Sequence, residues 1–124
     1  MLFLDTHAVI WLYQKELDRF SPAGVALLEE ETLMVSPAVV LELEYLREIG
    51  RITCPGRTIV NDLARAIGLE VDPVSFLPVV EASLTLDWTH DSFDRLIAGH
   101  ALFRGARLLS RDRLITRHCS AAVW

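Results

Sequence analysis

The sequence predicts a single α/β domain over residues 1–124, built on a largely parallel sheet of short strands. Three observations predict it. Short apolar runs alternate with longer segments of helical periodicity, the pattern of strand–helix–strand units. The length of 124 residues suits one domain. A hydrophobic content of 52% is enough for a full core and too high for a disordered chain.

The elements follow in order. Residues 1–4 are a buried first strand, which delivers Asp5 to its carboxyl end. Residues 8–15 read as a helix. Ser21-Pro22 opens a second helix, a cap followed by proline at the first helical position, and it runs to about residue 31. Residues 32–35 form a second strand. Ser36-Pro37 repeats the cap-and-proline signal, for a helix that runs to about residue 49, where Gly50 stops it. Residues 52–56 are a connection holding Cys54 and Pro55. Residues 58–67 are helical, with Ile59, Leu63, Ala66 and Ile67 on one side and Gly68 at the end. Residues 69–71 make a short strand or an edge piece. Residues 73–86 are helical in parts, broken by Pro78. Residues 91–103 form a helix with Phe93, Leu96, Ile97 and Ala101 on one face. Residues 107–110 are a strand, and residues 122–124 are a candidate last one. No repeat, linker or low-complexity segment interrupts the pattern.

Composition narrows the function. No apolar run reaches the length of a membrane span, and Asp5 interrupts the first one, so a soluble, cytoplasmic protein is expected. The two cysteines, Cys54 and Cys119, have no zinc-ligand spacing and are expected to be buried thiols. The net charge of −5 argues mildly against nucleic acid as a partner. Its distribution points the other way. Residues 95–124 carry six arginines and one acid, Asp112, a balance of +5, whereas residues 1–94 carry six cations and sixteen acids, a balance of −10. Arginine is the preferred cation for phosphate because its planar fork binds two oxygens at once. Arg95, Arg111 and Arg113 are the candidate phosphate contacts, against the plainer reading of a solvated basic face.

Four acids stand where a strand gives way to a helix or near a helix start: Asp5, Glu42, Asp94 and Asp112. Each has a plain reading when taken alone. Glu42, flanked by Val39, Tyr45 and Leu46, suits a boundary residue reaching water. Asp94 sits in a first turn, where a capping acid such as Asp91 and the helix dipole both favour carboxylates. Asp112 suits a turn. Glu44 looks like an ordinary surface residue. Topology raises the joint reading. Asp5 and Asp112 leave two strands at what should be one end of a parallel sheet, and Glu42 and Asp94 lie on helices that start at that end. Four carboxylates in one cleft repel each other unless cations neutralise them. Oxygen-only ligands suit Mg²⁺ or Mn²⁺. Such a site fits metal-assisted phosphodiester hydrolysis.

The residues Leu4-Asp5-Thr6-His7, Leu41-Glu42-Leu43, Asp91-Ser92-Phe93-Asp94-Arg95-Leu96-Ile97-Ala98 and Ser110-Arg111-Asp112 together resemble the PIN-domain nucleases, and within them the VapC-type toxins of bacterial toxin–antitoxin pairs. The resemblance runs through the whole chain in order and approximate spacing. It implies an α/β/α sandwich around a mostly parallel sheet, and cleavage of RNA that depends on Mg²⁺ or Mn²⁺. It assigns Asp5, Glu42, Asp94 and Asp112 to an acidic quartet, Thr6 and Ser110 to the hydroxyl positions beside the acids, and Asp91 to an auxiliary acid that binds metal or only caps its helix. It also implies a homodimer held inactive by a cognate antitoxin. Ser110 stands where threonine is more usual, and Ser92 where proline is common.

Other readings are weaker. A haloacid-dehalogenase-like phosphatase needs an aspartate at position 7, which is His7. A receiver domain needs a late lysine, and the only lysine is Lys15. No phosphate-binding glycine loop and no nucleophile elbow is present. His7, His90, His100 and His118 have no zinc spacing and read as structural or surface residues. Trp11, Trp88 and Trp124 are explained by core or dimer packing rather than base stacking. A PIN fold that has lost catalysis and only binds RNA or protein remains the non-enzymatic alternative.

Overall fold

The cap-and-proline signals set two helices as expected. Ser21 Oγ accepts from the Gly24 N–H at 3.0 Å, and Ser36 Oγ accepts from the Ala38 N–H at 3.2 Å. Pro22 and Pro37 follow, at positions where no helical N–H needs a partner. The computed structural model, which describes residues 1–124, alternates five strands with seven helices. They are β1 (Leu2–Leu4), α1 (Thr6–Tyr13), α2 (Pro22–Glu30), β2 (Leu33–Val35), α3 (Pro37–Glu48), α4 (Gly56–Ile67), β3 (Glu70–Val71), α5 (Phe76–Ser83), α6 (Ser92–Arg104), β4 (Arg107–Leu109), α7 (Arg113–His118) and β5 (Ala122–Val123).

The five strands form one wholly parallel sheet in the order β3-β2-β1-β4-β5, between layers of helix. Leu2 pairs with Leu33 on one side and with Arg107 on the other, and Leu4 pairs with Leu109. The chain winds outward from β1 to β3, then returns to the other side of β1 for β4 and β5. The winding therefore reverses between β1 and β4. In open α/β sheets the crevice at such a reversal, outside the carboxyl ends of the strands, is where ligands bind. Leu2, Phe3 and Leu4 are wholly buried, as are Leu108 and Leu109 beside them. A parallel strand covered on both faces reads as a continuous apolar run for this reason. Each such side chain contributes about 1.5–3 kcal/mol of burial.

The structure departs from the sequence reading at several points. Helix α1 starts at Thr6, two residues before the apolar pattern, because Asp5 caps it. A short 3₁₀ turn at Leu17–Arg19 was not expected. Helix α4 starts at Gly56, where a Cβ would stand 2.8 Å from the Val40 carbonyl oxygen and 2.9 Å from the Leu43 Cβ; only glycine lets α4 begin this close to α3. Pro78 does not break its helix. It is the third residue of α5, in the first turn, where the missing N–H costs nothing. Helix α7 was missed, being only six residues long and too charged for a periodic pattern. Cys54 and Cys119 are free thiols, half-buried rather than buried. No helix is long and apolar enough to cross a membrane.

Candidate metal centre

Local chemistry brings each acid to the reversal point. Strand β1 ends at Leu4, and the Asp5 N–H continues the ladder to the Leu109 carbonyl at 3.0 Å. Asp5 then turns its carboxylate on its own helix, with Oδ1 accepting from the Thr6 N–H at 2.8 Å. On the adjacent strand, Ser110 follows Leu109 and donates its hydroxyl to Asp5 Oδ2 at 2.6 Å. Both residues are buried. Thr6, wholly buried, donates its hydroxyl to Glu42 Oε1 on α3. Asp91 caps α6, its Oδ1 accepting from the Asp94 N–H at 3.0 Å, which fixes Asp94 in the first turn.

The result is a trio. One carboxylate oxygen each from Asp5, Glu42 and Asp94 lie within 4.8 Å of one another. Oxygens around an octahedral Mg²⁺ stand about 3 Å apart when adjacent and about 4 Å apart when opposite. The trio thus fits a hard divalent cation after a small inward movement, and its all-oxygen donor set excludes a thiophilic metal.

Electrostatics agree with a site built for a cation. Burial pushes the Asp5 carboxyl above the usual range, against the pull of its bonds to Ser110 and Thr6. Burial raises Glu42 to about 7, and the negative charges of Asp5, Asp91 and Asp112 add to it. Burial raises Asp94 to about 7 as well, reinforced by Asp91, Asp5 and Asp112. No basic side chain hydrogen-bonds to any of the three. Without a cation, Glu42 and Asp94 hold protons near neutrality.

Asp112 stands outside the trio. Its Oδ1 caps α7, accepting from the Leu114 and Ile115 N–H groups at 2.9 and 3.0 Å, while its own N–H donates to Ser110 Oγ at 3.1 Å. Its charge still raises the proton affinity of all three acids. Arg111 and Arg113 are exposed and make no side-chain hydrogen bond. Arg95 is committed elsewhere: Nε donates to the Ser83 carbonyl at 2.9 Å and Nη2 to the Leu84 carbonyl at 3.2 Å, capping the end of α5. Glu44 is more than a surface residue, since it pairs with Arg47 and accepts the Gly56 N–H at 3.2 Å, tying α3 to α4.

Two groupings escaped the sequence reading. Buried Asp72, just after β3, accepts from Arg104 Nε and Nη2, each at 2.6 Å, and contacts His100 Nε2 at 2.9 Å. Arg104 holds Asp72 down to about 2, and burial lowers His100, which is thus a neutral structural residue. The second grouping is a cavity of about 290 Å³ beside the trio, lined by Asp5, His7, Trp11, Arg111 and Asp112. An aromatic four residues after a histidine, following a first-strand acid, was the available clue.

The family model of the PIN domain matches residues 2–120. No curated protein matches the chain. Among solved structures, the chain is similar to that of VapBC2 from Rickettsia felis bound to a DNA fragment from their promoter. The TM-score is 0.69 at 19% sequence identity, covering 99% of this chain and 96% of that one. At that identity the likeness is one of fold.

Proposed function

This chain belongs to the PIN-domain family, and on that premise we propose that it is a metal-dependent endoribonuclease, the toxin of a toxin–antitoxin pair working in the cytoplasm. The observation that carries the reading is the convergence of the Asp5, Glu42 and Asp94 oxygens beside the β1–β4 reversal. Folding spends free energy to gather one buried and two half-buried carboxylates, and a cation that binds them recovers it.

Asp5, Glu42 and Asp94 would hold Mg²⁺ or Mn²⁺, with Asp112 adding its charge from beyond β4. A bound divalent cation supplies a more acidic water and stabilises charge on a phosphodiester during in-line displacement. The chain's own residues prepare the site. Ser110 and Thr6 hold the Asp5 and Glu42 carboxylates in place. Asp91 fixes the first turn of α6 and with it Asp94. Arg111 and Arg113, free on the surface, would meet phosphates of an RNA strand.

An antitoxin partner is supported by the fold shared with VapBC2. Leu41 on α3 and Phe76 on α5, 63% and 68% exposed, line an apolar cavity of about 370 Å³, and such a surface suits a protein partner or a second copy of the chain.

Asp5→Asn tests the reading. Asparagine caps a helix as well as aspartate does, so the fold should persist, but the charge is lost. Wild type freed of partner should cut total cellular RNA into discrete fragments in Mg²⁺ and not in EDTA. Asp5→Asn should leave that RNA intact at unchanged circular dichroism. Cutting by Asp5→Asn at the wild-type rate would remove Asp5 from the mechanism.

A further inference from the structure

Two cavities of opposite character are lined from the elements that carry the acids. On the α3–α6 side, Pro37, Ala38, Leu41, Phe93 and Leu96 line an apolar hollow with no cation. On the β4–α7 side lies the cavity of Asp5, His7, Trp11, Arg111 and Asp112, of which four are ionisable and one is aromatic. Of the two, only the second carries a guanidinium, that of Arg111, for a phosphate brought to Asp5; the polar lining of the first is Ser36 and His100.

The second cavity is built for a nucleotide in three respects. Its volume of about 290 Å³ is at the small end for ligand sites, room for one base or one sugar-phosphate. Its two donors are uncommitted: His7 and Arg111 are both exposed, and neither side chain hydrogen-bonds within the protein. Its aromatic wall is rigid. Trp11 packs edge-on against Trp124 and Phe20, at ring-centroid distances of 5.5 and 6.3 Å, and carries the Arg19 guanidinium at 5.3 Å. His7 lies 5.9 Å from the same ring. A fixed indole binds a base with little loss of side-chain freedom, and every base has a face to stack.

Resting on the nuclease reading above, we propose that this cavity is a substrate subsite for the nucleotide flanking the scissile phosphate. Trp11 is its stacking platform, and His7 and Arg111 are its phosphate donors. The RNA strand therefore leaves the acids over α7, not over the apolar hollow between α3 and α6.

The test is binding of a fluorescently labelled, single-stranded RNA 12-mer, read by anisotropy across a salt series in Mg²⁺, with Asp94→Asn as the non-cleaving background. In that background Arg111→Gln should lower the slope of log affinity against log salt by about 0.7, the value for one phosphate contact on a single strand. Arg111→Lys should restore the slope. Trp11→Ala should weaken binding about tenfold, and Trp11→Phe should recover most of that. His7→Gln, at an exposed position that leaves folding untouched, should weaken binding several-fold. Arg65→Gln, on the far face of α4, should change nothing. In the otherwise wild-type chain, the loss should fall on KM more than on kcat. Unchanged affinity and salt slope in both His7→Gln and Arg111→Gln, with the wild type still cutting RNA, would overturn the subsite alone. A wild type that neither binds nor cuts RNA would overturn the nuclease reading and the subsite with it.

Discussion

Ser110 Oγ donates to Asp5 Oδ2 at 2.6 Å, across two strands that lie 105 residues apart in sequence and side by side in the sheet. The same hydroxyl accepts the Asp112 N–H at 3.1 Å. One buried oxygen thus connects the acid of the first strand to the loop that carries the last acid. Ser110→Ala removes both bonds and leaves a buried carboxylate oxygen unpaired, at a cost of about 1–3 kcal/mol. Loss of a group that orients a metal ligand also lowers metal affinity, by about 10–100-fold. We expect RNA cleavage by Ser110→Ala to fall at limiting Mn²⁺ and to recover at high Mn²⁺. Ser110→Thr keeps the hydroxyl and should retain cleavage. A Mn²⁺ titration of both variants decides it, and an unshifted midpoint in the alanine variant would count against the positioning role.

If the trio holds a divalent cation as proposed, protons compete with it there, and stability should depend on both. Glu42 and Asp94 are raised to about 7 in the folded chain, above the unfolded values of about 4.3 and 3.9. Between about pH 4 and 7 the folded state therefore holds protons that the unfolded state has lost. Stability from these groups falls as pH rises through that window. In EDTA, the thermal midpoint should drop from pH 5 to pH 8 on their account. A divalent cation prefers ionised carboxylates, so on the proposed reading Mn²⁺ should raise the midpoint more at pH 8 than at pH 5. Differential scanning fluorimetry measures this, and an equal Mn²⁺ shift at both pH values would contradict it.

The buried Asp72 is a structural charge, not part of the acidic trio. It joins β3 to α6 through Arg104 and His100. Asp72→Ala would leave two donors without their acceptor. We expect a loss of about 2–3 kcal/mol, less than for a fully buried pair because Arg104 is 35% exposed. The sign of its pH dependence is opposite to that of the trio. Asp72 is held down to about 2, so its contribution is present above about pH 4 and is lost as pH falls toward 2. Urea denaturation at pH 7 and pH 3 should show the variant's deficit shrinking at the lower pH. Cleavage at temperatures where the variant stays folded should be near wild type.

Gly99 in the middle of α6 reverses the usual helix rule. Alanine there should favour the helix by up to about 1 kcal/mol. Its Cβ, however, would stand 2.0 Å from Ser83 Oγ, 2.9 Å from Ser83 Cβ and 3.0 Å from Ser83 Cα. The hydroxyl could rotate away, but the Cα is backbone, so α5 itself must move. Overpacking of this kind costs about 1–3 kcal/mol. We expect Gly99→Ala to lower the thermal midpoint, and partial rescue by Ser83→Ala, which removes the nearest atom. A midpoint at or above wild type would show that α5 shifts freely.

Local structure and the candidate residues were legible along the chain. Ser21 with Pro22 and Ser36 with Pro37 marked two helix starts, because caps and prolines act within one turn. The unbroken apolar run before Asp5 marked a buried parallel strand, and Asp5, Asp91 and Asp112 each proved to be helix caps at the junctions where the pattern changed period. Which candidates meet depends on how the elements pack. That packing drew Asp5, Glu42 and Asp94 into one trio and left Asp112 capping α7, turned Arg95 onto the end of α5, and closed Arg104 and His100 on Asp72. These contacts depend on β1 lying between β2 and β4, with the winding reversed there. Strand order is set by the burial of whole faces against one another. A helical or strand period reports only which face a residue is on, not which face of another element it will touch.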